Sequence, residues 1–587
     1  MKIQQLLKEQ VLARISNSVH ALIESKDINF EDLRIRVEYS RDEKFGDYST
    51  AFALENKKSF GSNPLEIAKQ LQDHLLNISE NFEIFTEVTV TAPGFINFRI
   101  SPNFLKKYLN QFLLEKDYFA KLENPLKINL EFVSANPTGP LNIVSARAAS
   151  YGDSLATILA TLGNQVDREF YVNDYGNQVQ LLGVACLIRF KEAQGIDISF
   201  QEEDDGRSLE ELIDSNTIPQ ESYRGDYIRD IIQPLLSDRE KIEWIQSNLK
   251  NKNYTALIDF FSQYAVDTNL SSQKEDLKEF GVKFDTFFSE KSLHDSGSVL
   301  KSLDALEASN KIFEEDGKKV FRSTDYGDDK DRVVVRDDGR PTYLLADIAY
   351  HKNKMDRGYD EIIDIWGPDH HGYIARLSGA MIAMGYPKEA FKVIICQQVN
   401  LLEDGKKVKM SKRLGNFQRM RDLIQYLGAS SKDVGRYFFI TRTAEAPLEF
   451  DLDLAKDESD KNPVFYLQYA HARIASIFRE VGEEYSRELD DSFEVTEERI
   501  RLLFWVARFH EEVYEAAINK EPHRITTYLQ FLSKAFTRFY GAKENRLKSS
   551  DEATRKQLAF ICKATQIVLR EGLQLLGISA PDRMVKE

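Results

Sequence analysis

Glu131-Phe-Val-Ser-Ala-Asn-Pro-Thr-Gly-Pro-Leu-Asn-Ile-Val-Ser-Ala-Arg147 is a loop bearing Pro and Gly, set between a strand and a helix. Before it, the alternating Ile128, Leu130 and Phe132 predict a strand. After it, Tyr151, Leu155, Ile158, Leu159 and Leu162 fall on one helical face, and Gly163 ends that helix. Residues 169–172 begin another strand. Strand, helix, strand in this order is a βαβ unit, whose crossover implies a parallel sheet.

Outward from this unit, residues from about 175 to 320 are charged and mostly helical, as an insertion would be. The strand–helix rhythm resumes with strands at 332–335, 361–366 and 392–396 and a helix near 344–354. Beyond about 455 only helical periodicity remains, interrupted by an acidic loop at 486–498. Residues 1 to about 112 mix helical patterns with short strands at 87–91 and 95–100. The pattern predicts an α/β chain in three parts. They are a small α+β domain (1–112), a Rossmann-like doubly wound domain with an insertion (113–455), and an all-α bundle (456–587).

At 587 residues the chain is long enough for about three to five domains. No apolar run reaches the length of about 18 residues that a membrane span needs. The first 24 residues carry Leu7, Val11, Ile15, Val19 and Leu22 at helical spacing, an amphipathic helix and not a signal peptide. Three scattered cysteines, Cys186, Cys396 and Cys562, argue against a zinc site or disulfide framework and point to a cytoplasmic protein. A net charge of −16 disfavours a nucleic-acid partner overall, yet residues 501–587 hold 15 Lys and Arg against 10 Asp and Glu. Local field, not the total, governs such binding.

A loop that ends at a helix N-terminus offers free N–H groups and the positive end of a dipole, where phosphates bind. Ser145 alone reads equally as an ordinary helix cap. The whole run is more specific. Ala135-Asn-Pro-Thr-Gly-Pro-Leu141 resembles the segment preceding the HIGH signature of bacterial-type arginyl-tRNA synthetases, a class I family. Val408-Lys-Met-Ser-Lys-Arg-Leu-Gly-Asn-Phe417 is similar to that family's KMSKS loop. Arg168 to Gln178, Trp366-Gly-Pro-Asp-His-His-Gly-Tyr373, Tyr466-Leu-Gln-Tyr-Ala-His-Ala-Arg473 and the run from Leu573 to Met584 resemble further family segments. Gly46-Asp-Tyr-Ser-Thr50 and Ala92-Pro-Gly-Phe-Ile-Asn97 look like its N-terminal domain, so the likeness spans nearly the whole chain.

The resemblance implies a ligase that joins L-arginine to tRNA(Arg) through arginyl-adenylate, with Mg-ATP as substrate and no structural metal. Its arginine pocket maps onto Glu131, Asn136, Tyr343 and Asp347. A guanidinium, planar and always charged, needs such carboxylates and fixed acceptors. Tyr343 and Asp347 stand four apart, on one helical face. ATP contacts map onto Gly139, Asn142, Ser145, Asp369, His370 and Met410, and catalysis onto Lys409, Ser411 and Lys412. The lysines would neutralise charge developing on pyrophosphate. His370 and His371 are adjacent and point apart, so no metal is expected there. tRNA contacts map onto Arg538, Arg546, Tyr466, Tyr469 and Met584, in a bundle whose aromatics are also ordinary core candidates. A monomer without membrane contact is expected.

At the HIGH position the chain reads Asn142-Ile-Val-Ser145, so only Ile143 matches and both imidazoles are absent. Two readings follow. One is an active synthetase with a variant signature. The alternative is a catalytically silent relative that binds tRNA or senses arginine.

Overall fold

The computed structural model describes residues 2–24, 26–40, 42–112, 119–408, 419–482 and 484–584. It divides into two compact units, one of Leu126–Ala156 with Gln165–Lys456, the other of Met1–Pro125, Thr157–Asn164 and Asp457–Glu587.

The first unit is built on five parallel strands: β1 (Lys127–Glu131), β2 (Gln165–Val172), β3 (Thr286–Ser289), β4 (Glu361–Trp366) and β5 (Phe391–Ile395). Their order across the sheet is β5-β4-β1-β2-β3. The chain runs from β1 to β3 in one direction and then restarts on the other side of β1. This is a doubly wound sheet with its switch point between β1 and β4, where ligands bind in such folds. The principal helices are α1 (Ile143–Thr161), α2 (Asn177–Ala193), α3 (Tyr254–Glu279), α4 (Tyr343–Asp356) and α5 (Met420–Leu427).

Register puts Glu131 level with Asp364 on β4 and with Glu169 on β2, so three acids stand abreast on one face. Phe132 turns to the opposite face, where its ring lies 4.4 Å from that of Phe284. There α1 crosses so closely that a Cβ on Gly152 would come within 2.3 Å of the Phe132 ring, which only glycine permits.

The insertion is shorter than its composition suggests. Leu182, Phe190, Ile231, Leu257 and Phe261 close a core of their own, drawn from α2, α3 and the short helices between. Thr286–Ser289 then returns to the main sheet as its edge strand. Four residues between charged segments were too few to show a period. The strand at 332–335 also differs from expectation: Arg332–Val335 pairs antiparallel with Lys318–Phe321 in a separate three-stranded sheet.

In the second unit, an antiparallel sheet ordered Glu38–Tyr39, Tyr48–Thr50, Phe95–Ile100, Phe85–Thr91 packs with the helices Leu7–Ile23 and Pro64–Asn77. Leu7, Val11, Ile15, Val19 and Leu22 are all buried, as their spacing predicts. Five longer helices follow: Pro463–Val481, Glu497–Ala507, Phe509–Ile518, His523–Gly541 and Glu552–Leu575. The N-terminal and C-terminal parts, expected as separate domains, share this one unit. Buried Glu511 joins them, accepting from the Tyr39 hydroxyl at 2.7 Å and the Tyr48 hydroxyl at 3.0 Å. Among the described residues no helix is long and apolar enough to cross a membrane.

Candidate active site

Beyond β1 the chain enters a strained turn: Val133 has φ 69° and Ser134 φ 38°. A β-branched residue in the left-handed region is a rare outlier, costing on the order of 1–3 kcal/mol. The turn brings the Ser134 hydroxyl onto Glu131 Oε1 at 2.8 Å, while Tyr171 N–H donates to Ser134 Oγ at 3.0 Å. Strain here fixes the first residues after the switch point.

The row of acids is neutralised from α4. Lys354, fully buried, donates to Glu131 Oε2 at 2.5 Å and Asp364 Oδ1 at 2.8 Å. His351 Nε2 meets Asp364 Oδ2 at 2.7 Å. Glu169 receives the Tyr350 hydroxyl at 2.7 Å and both arms of Arg357 at 2.6 and 2.8 Å. Burial raises Glu131 above the usual carboxylate range, with Lys354 pulling against it. Asp364 is also buried, yet Lys354 and His351 together outweigh that and hold it low. Both oxygens of Glu131 are therefore engaged inside the fold, so its charge is already balanced before any substrate cation arrives.

Among the described residues two other carboxyls form no ion pair with a lysine or arginine; Glu290 Oε1 has His294 Nε2 at 3.6 Å, an imidazole whose own pKa burial lowers. Burial pushes Asp347 up to about 6, although His351 and the Tyr373 hydroxyl pull it down. Burial likewise pushes Glu290 up to about 7, with the Tyr171 hydroxyl opposing and the charges of Asp347 and Asp174 adding to the rise. Asp174 accepts from the Ser289 hydroxyl at 2.5 Å and the Lys291 N–H at 2.9 Å. Buried acids that repel one another are stabilised when a cation enters between them. Tyr343, 58 % exposed, opens α4 one turn before Asp347. Asn136 is exposed and donates to Gln178 Oε1 at 3.0 Å, at the start of α2.

Around the signature loop, the cap of α1 is Asn142, not Ser145. Asn142 Oδ1 accepts the Ser145 N–H at 2.8 Å and its hydroxyl at 3.1 Å. The Ser145 proton is thus directed to Asn142, which leaves the Asn142 amide nitrogen as the outward donor. Buried Arg147 holds α1 in place, donating to the carbonyls of Gln397 at 2.7 Å and of Thr443 and Ala446 at 2.9 Å. Successive carbonyls of the loop are taken by the insertion: Pro137 by Asn269 at 2.9 Å, Thr138 by the Tyr227 hydroxyl at 2.7 Å, and Gly139 by Gln273 at 2.7 Å. Asp369 and His370 are exposed in the 3₁₀ segment Pro368–Tyr373 that follows β4. Lys409, Met410, Ser411 and Lys412 lie outside the described residues.

In the helical unit a cavity of about 790 Å³ brings together Tyr466, Tyr469, Arg473, Tyr540, Arg546 and Lys548. Arg538 is not among them. It lines a different cavity, of about 600 Å³, together with Arg501 and Arg99. Met584 is half-buried in the terminal segment, whose Pro581 carbonyl contacts His471 Nδ1 at 3.0 Å.

Sequence reasoning missed Lys354, His351, Asp364 and Glu290. The spacing of Asp347, His351 and Lys354 on one edge of α4 was a usable signal for the first two. Glu290, one acid in a charged segment, gave none.

Three family models match in order: the arginyl tRNA synthetase N terminal domain at residues 5–100, the class I (R) tRNA synthetase catalytic domain at 108–433, and the DALR anticodon binding domain at 467–584. The chain is 58 % identical over 588 residues to the arginine–tRNA ligase of Leptospira interrogans serovar Lai, covering all of both chains. It is 38 % identical over 589 residues to that of Bacillus subtilis strain 168, covering 99 % of each. The Thermus thermophilus arginyl-tRNA synthetase structure shares the fold, with a TM-score of 0.74 and 22 % identity over 99 % of this chain and 100 % of that one. The sheet topology, the ordered models and the full-length identities agree: the chain belongs to the arginyl-tRNA synthetase family.

Proposed function

We propose that the family's reaction takes place at the carboxyl ends of β1 and β4. An arginine carboxylate oxygen attacks the α-phosphorus of ATP, and the bond to the β-phosphate breaks with departure of pyrophosphate. The terminal 2′-hydroxyl of tRNA(Arg) then attacks the arginyl carbonyl, and AMP leaves. The observation that carries this reading is the pair of acids, Asp347 and Glu290, that among the described residues meet imidazoles but no lysine or arginine, beside the strained turn at the switch point. They take the guanidinium between them, with Tyr343 covering it and Asn136 bounding the entrance. Glu131, held by Lys354 and Ser134, offers its remaining acceptor capacity to the α-ammonium. Glutamate oxygens carry about four lone-pair sites, so two internal bonds leave room.

ATP lies over the start of α1, with donors from the Asn142 amide and the loop at Gly139 and with Ser145, Asp369 and His370 nearby. Lys409, Ser411 and Lys412, with Met410 against the adenosine, are assigned from sequence alone. Mg2+ accompanies ATP, since it neutralises the triphosphate. Tyr466, Tyr469 and Arg546 receive unpaired tRNA bases and phosphates in the 790 Å³ cavity, a mixture of rings and cations suited to them. Arg538 and Met584 meet tRNA outside it. Residues 1–112 serve as a tRNA-contacting module, 113–455 as the catalytic part and 456–587 as the anticodon-binding part. A cytoplasmic monomer suits three buried free thiols, Cys186, Cys396 and Cys562. Arginine-dependent charging of total tRNA tests the whole reading. Charging with arginine alone among the amino acids is expected; tRNA binding without charging overturns it.

A further inference from the structure

We propose that α3 is a brace for the nucleotide site, in which Asn269, Gln273 and Asp276 position the signature loop and the first turn of α5. The proposal rests on ATP binding at that loop, as read above. The three residues stand at spacings of four and three, on one helical face. They are 6 %, 1 % and 1 % exposed. A helix that merely packs would place aliphatic side chains on such a face. This one presents amides and a carboxylate.

Their partners explain the choice. Gln273 Nε2 donates to the carbonyls of Asn136 at 3.2 Å and Gly139 at 2.7 Å, and Asn269 Nδ2 to that of Pro137 at 2.9 Å. Tyr227, elsewhere in the insertion, takes the carbonyl of Thr138 at 2.7 Å. Four consecutive carbonyls are thus turned toward the insertion. Each peptide unit is planar and trans, so the N–H groups of Thr138 and Gly139 point the other way. Pro137 and Pro140 have no N–H, which makes these two the loop's only backbone donors between Asn136 and Leu141. Among the described residues Gln273 Oε1 is buried without a partner, a penalty that a residue retained for its donor group can carry.

One turn further on, Asp276 Oδ1 accepts from Arg421 Nε at 2.5 Å, in the first turn of α5. The same point is tied to the loop directly: Met420 N–H donates to the Leu141 carbonyl at 2.8 Å, and Asn142 and Arg419 form an antiparallel bridge. A single helix face therefore fixes both the approach to α1 and the anchor of the chain that follows the 408–417 motif. This assigns the insertion a role in ATP handling, with all three residues acting through backbone or through Arg421 and none touching substrate.

Tyr227→Phe, Gln273→Met and their combination remove donors at nearly constant volume. Arg421→Met and Arg421→Lys separate loss of the cation from its conservative replacement. Each is measured by ATP and arginine KM in tRNA-dependent ATP–pyrophosphate exchange, by melting, and by calorimetric titration with the non-hydrolysable analogue adenosine 5′-(β,γ-imido)triphosphate. The double variant removes the three donor bonds to the Asn136, Thr138 and Gly139 carbonyls and is expected to weaken ATP KM and analogue Kd about tenfold or more, with arginine KM changed by a clearly smaller factor. Arg421→Met should follow it in part, and Arg421→Lys should recover. Unchanged analogue affinity in the double variant, or equal losses for ATP and arginine alongside a lowered melting point, overturns the brace. A parent that binds the analogue but exchanges nothing refutes the proposed activity alone, and the titrations still decide the brace. A parent that binds no analogue overturns both.

Discussion

Replacing Lys354 by Met removes the charge that β1 and β4 share through Glu131 and Asp364. Its ammonium lies 2.5 Å from Glu131 Oε2 and 2.8 Å from Asp364 Oδ1, with no solvent exposure. At an effective dielectric of about 20, each attraction amounts to about 6 kcal/mol before desolvation is subtracted. Truncating one member of a buried ion cluster costs about 3–5 kcal/mol net, because the partners are left without a counter-ion. Met is close in length, so cavity formation adds little. The calorimetric transition of the sheet-bearing unit should therefore fall by on the order of 5–10 °C near neutral pH. The pH dependence has a defined sign. Without Lys354, Glu131 and Asp364 acquire folded pKa values above their unfolded ones, so the variant is most stable at low pH and loses stability as pH rises through them. In the parent, Asp364 is held low and contributes stability above its unfolded pKa of about 4, which is lost as pH falls. Both effects narrow the gap below about pH 5. A drop of less than about 2 °C, or a gap that widens in acid, would refute the reasoning.

Asp347→Asn should raise arginine KM by roughly 10- to 100-fold with ATP KM little changed, as expected when a charged partner is removed from a buried cation site; steady-state exchange kinetics check it. Arginine KM of the parent should also climb as pH falls from about 8 to 6. In the proposed pocket Asp347 and Glu290, raised to about 6 and about 7, take the guanidinium as carboxylates and must lose their protons first; a KM independent of pH over that range contradicts the pocket. The triple change Asn142→His, Val144→Gly and Ser145→His restores the HIGH signature but removes the cap of α1, worth about 0.5–2 kcal/mol. It should lower the melting point and improve exchange by less than about threefold; a gain beyond about tenfold would show that the native loop lacks a needed donor.

The parts of the fold with a long period were legible in the sequence. Leu7–Ile23 buries the residues its spacing names, and β1, α1 and β2 follow from alternation, helical face and Gly163. Thr286–Ser289 was not legible, because a four-residue edge strand between charged stretches has no period to read. For the site, the positions of Asp347 and Tyr343 on one helix came from spacing, and Tyr466, Tyr469 and Arg546 do share a cavity. Arg538 does not join them, since it sits on the face of its helix that turns toward Arg501 and Arg99. Lys354 reads as a surface lysine in a run with His351, Lys352 and Asp356, yet it is fully buried. Only strand register, which puts Glu131, Asp364 and Glu169 level, reveals why a cation must stand there.

The site thus separates two electrostatic tasks that composition alone would merge. Acids needed for architecture, Glu131, Asp364 and Glu169, are paired internally by Lys354, His351 and Arg357, although the charges of Glu131 and Asp364 still reach Asp347 and raise it. Asp347 and Glu290, the acids proposed for the ligand, are raised to about 6 and about 7 and form no ion pair with a lysine or arginine among the described residues. A substrate that brings a permanent positive charge supplies what they lack, whereas a neutral isostere would leave their mutual repulsion uncompensated. In the proposed pocket, discrimination for a guanidinium then comes mainly from the missing counter-ion and not from the number of hydrogen bonds. The same logic suits the nucleotide side. The loop keeps the helix dipole of α1 and the backbone donors of Thr138 and Gly139, both independent of imidazoles, and of the signature side chains Asn142 caps the helix that supplies that dipole while the Ser145 hydroxyl donates to that cap.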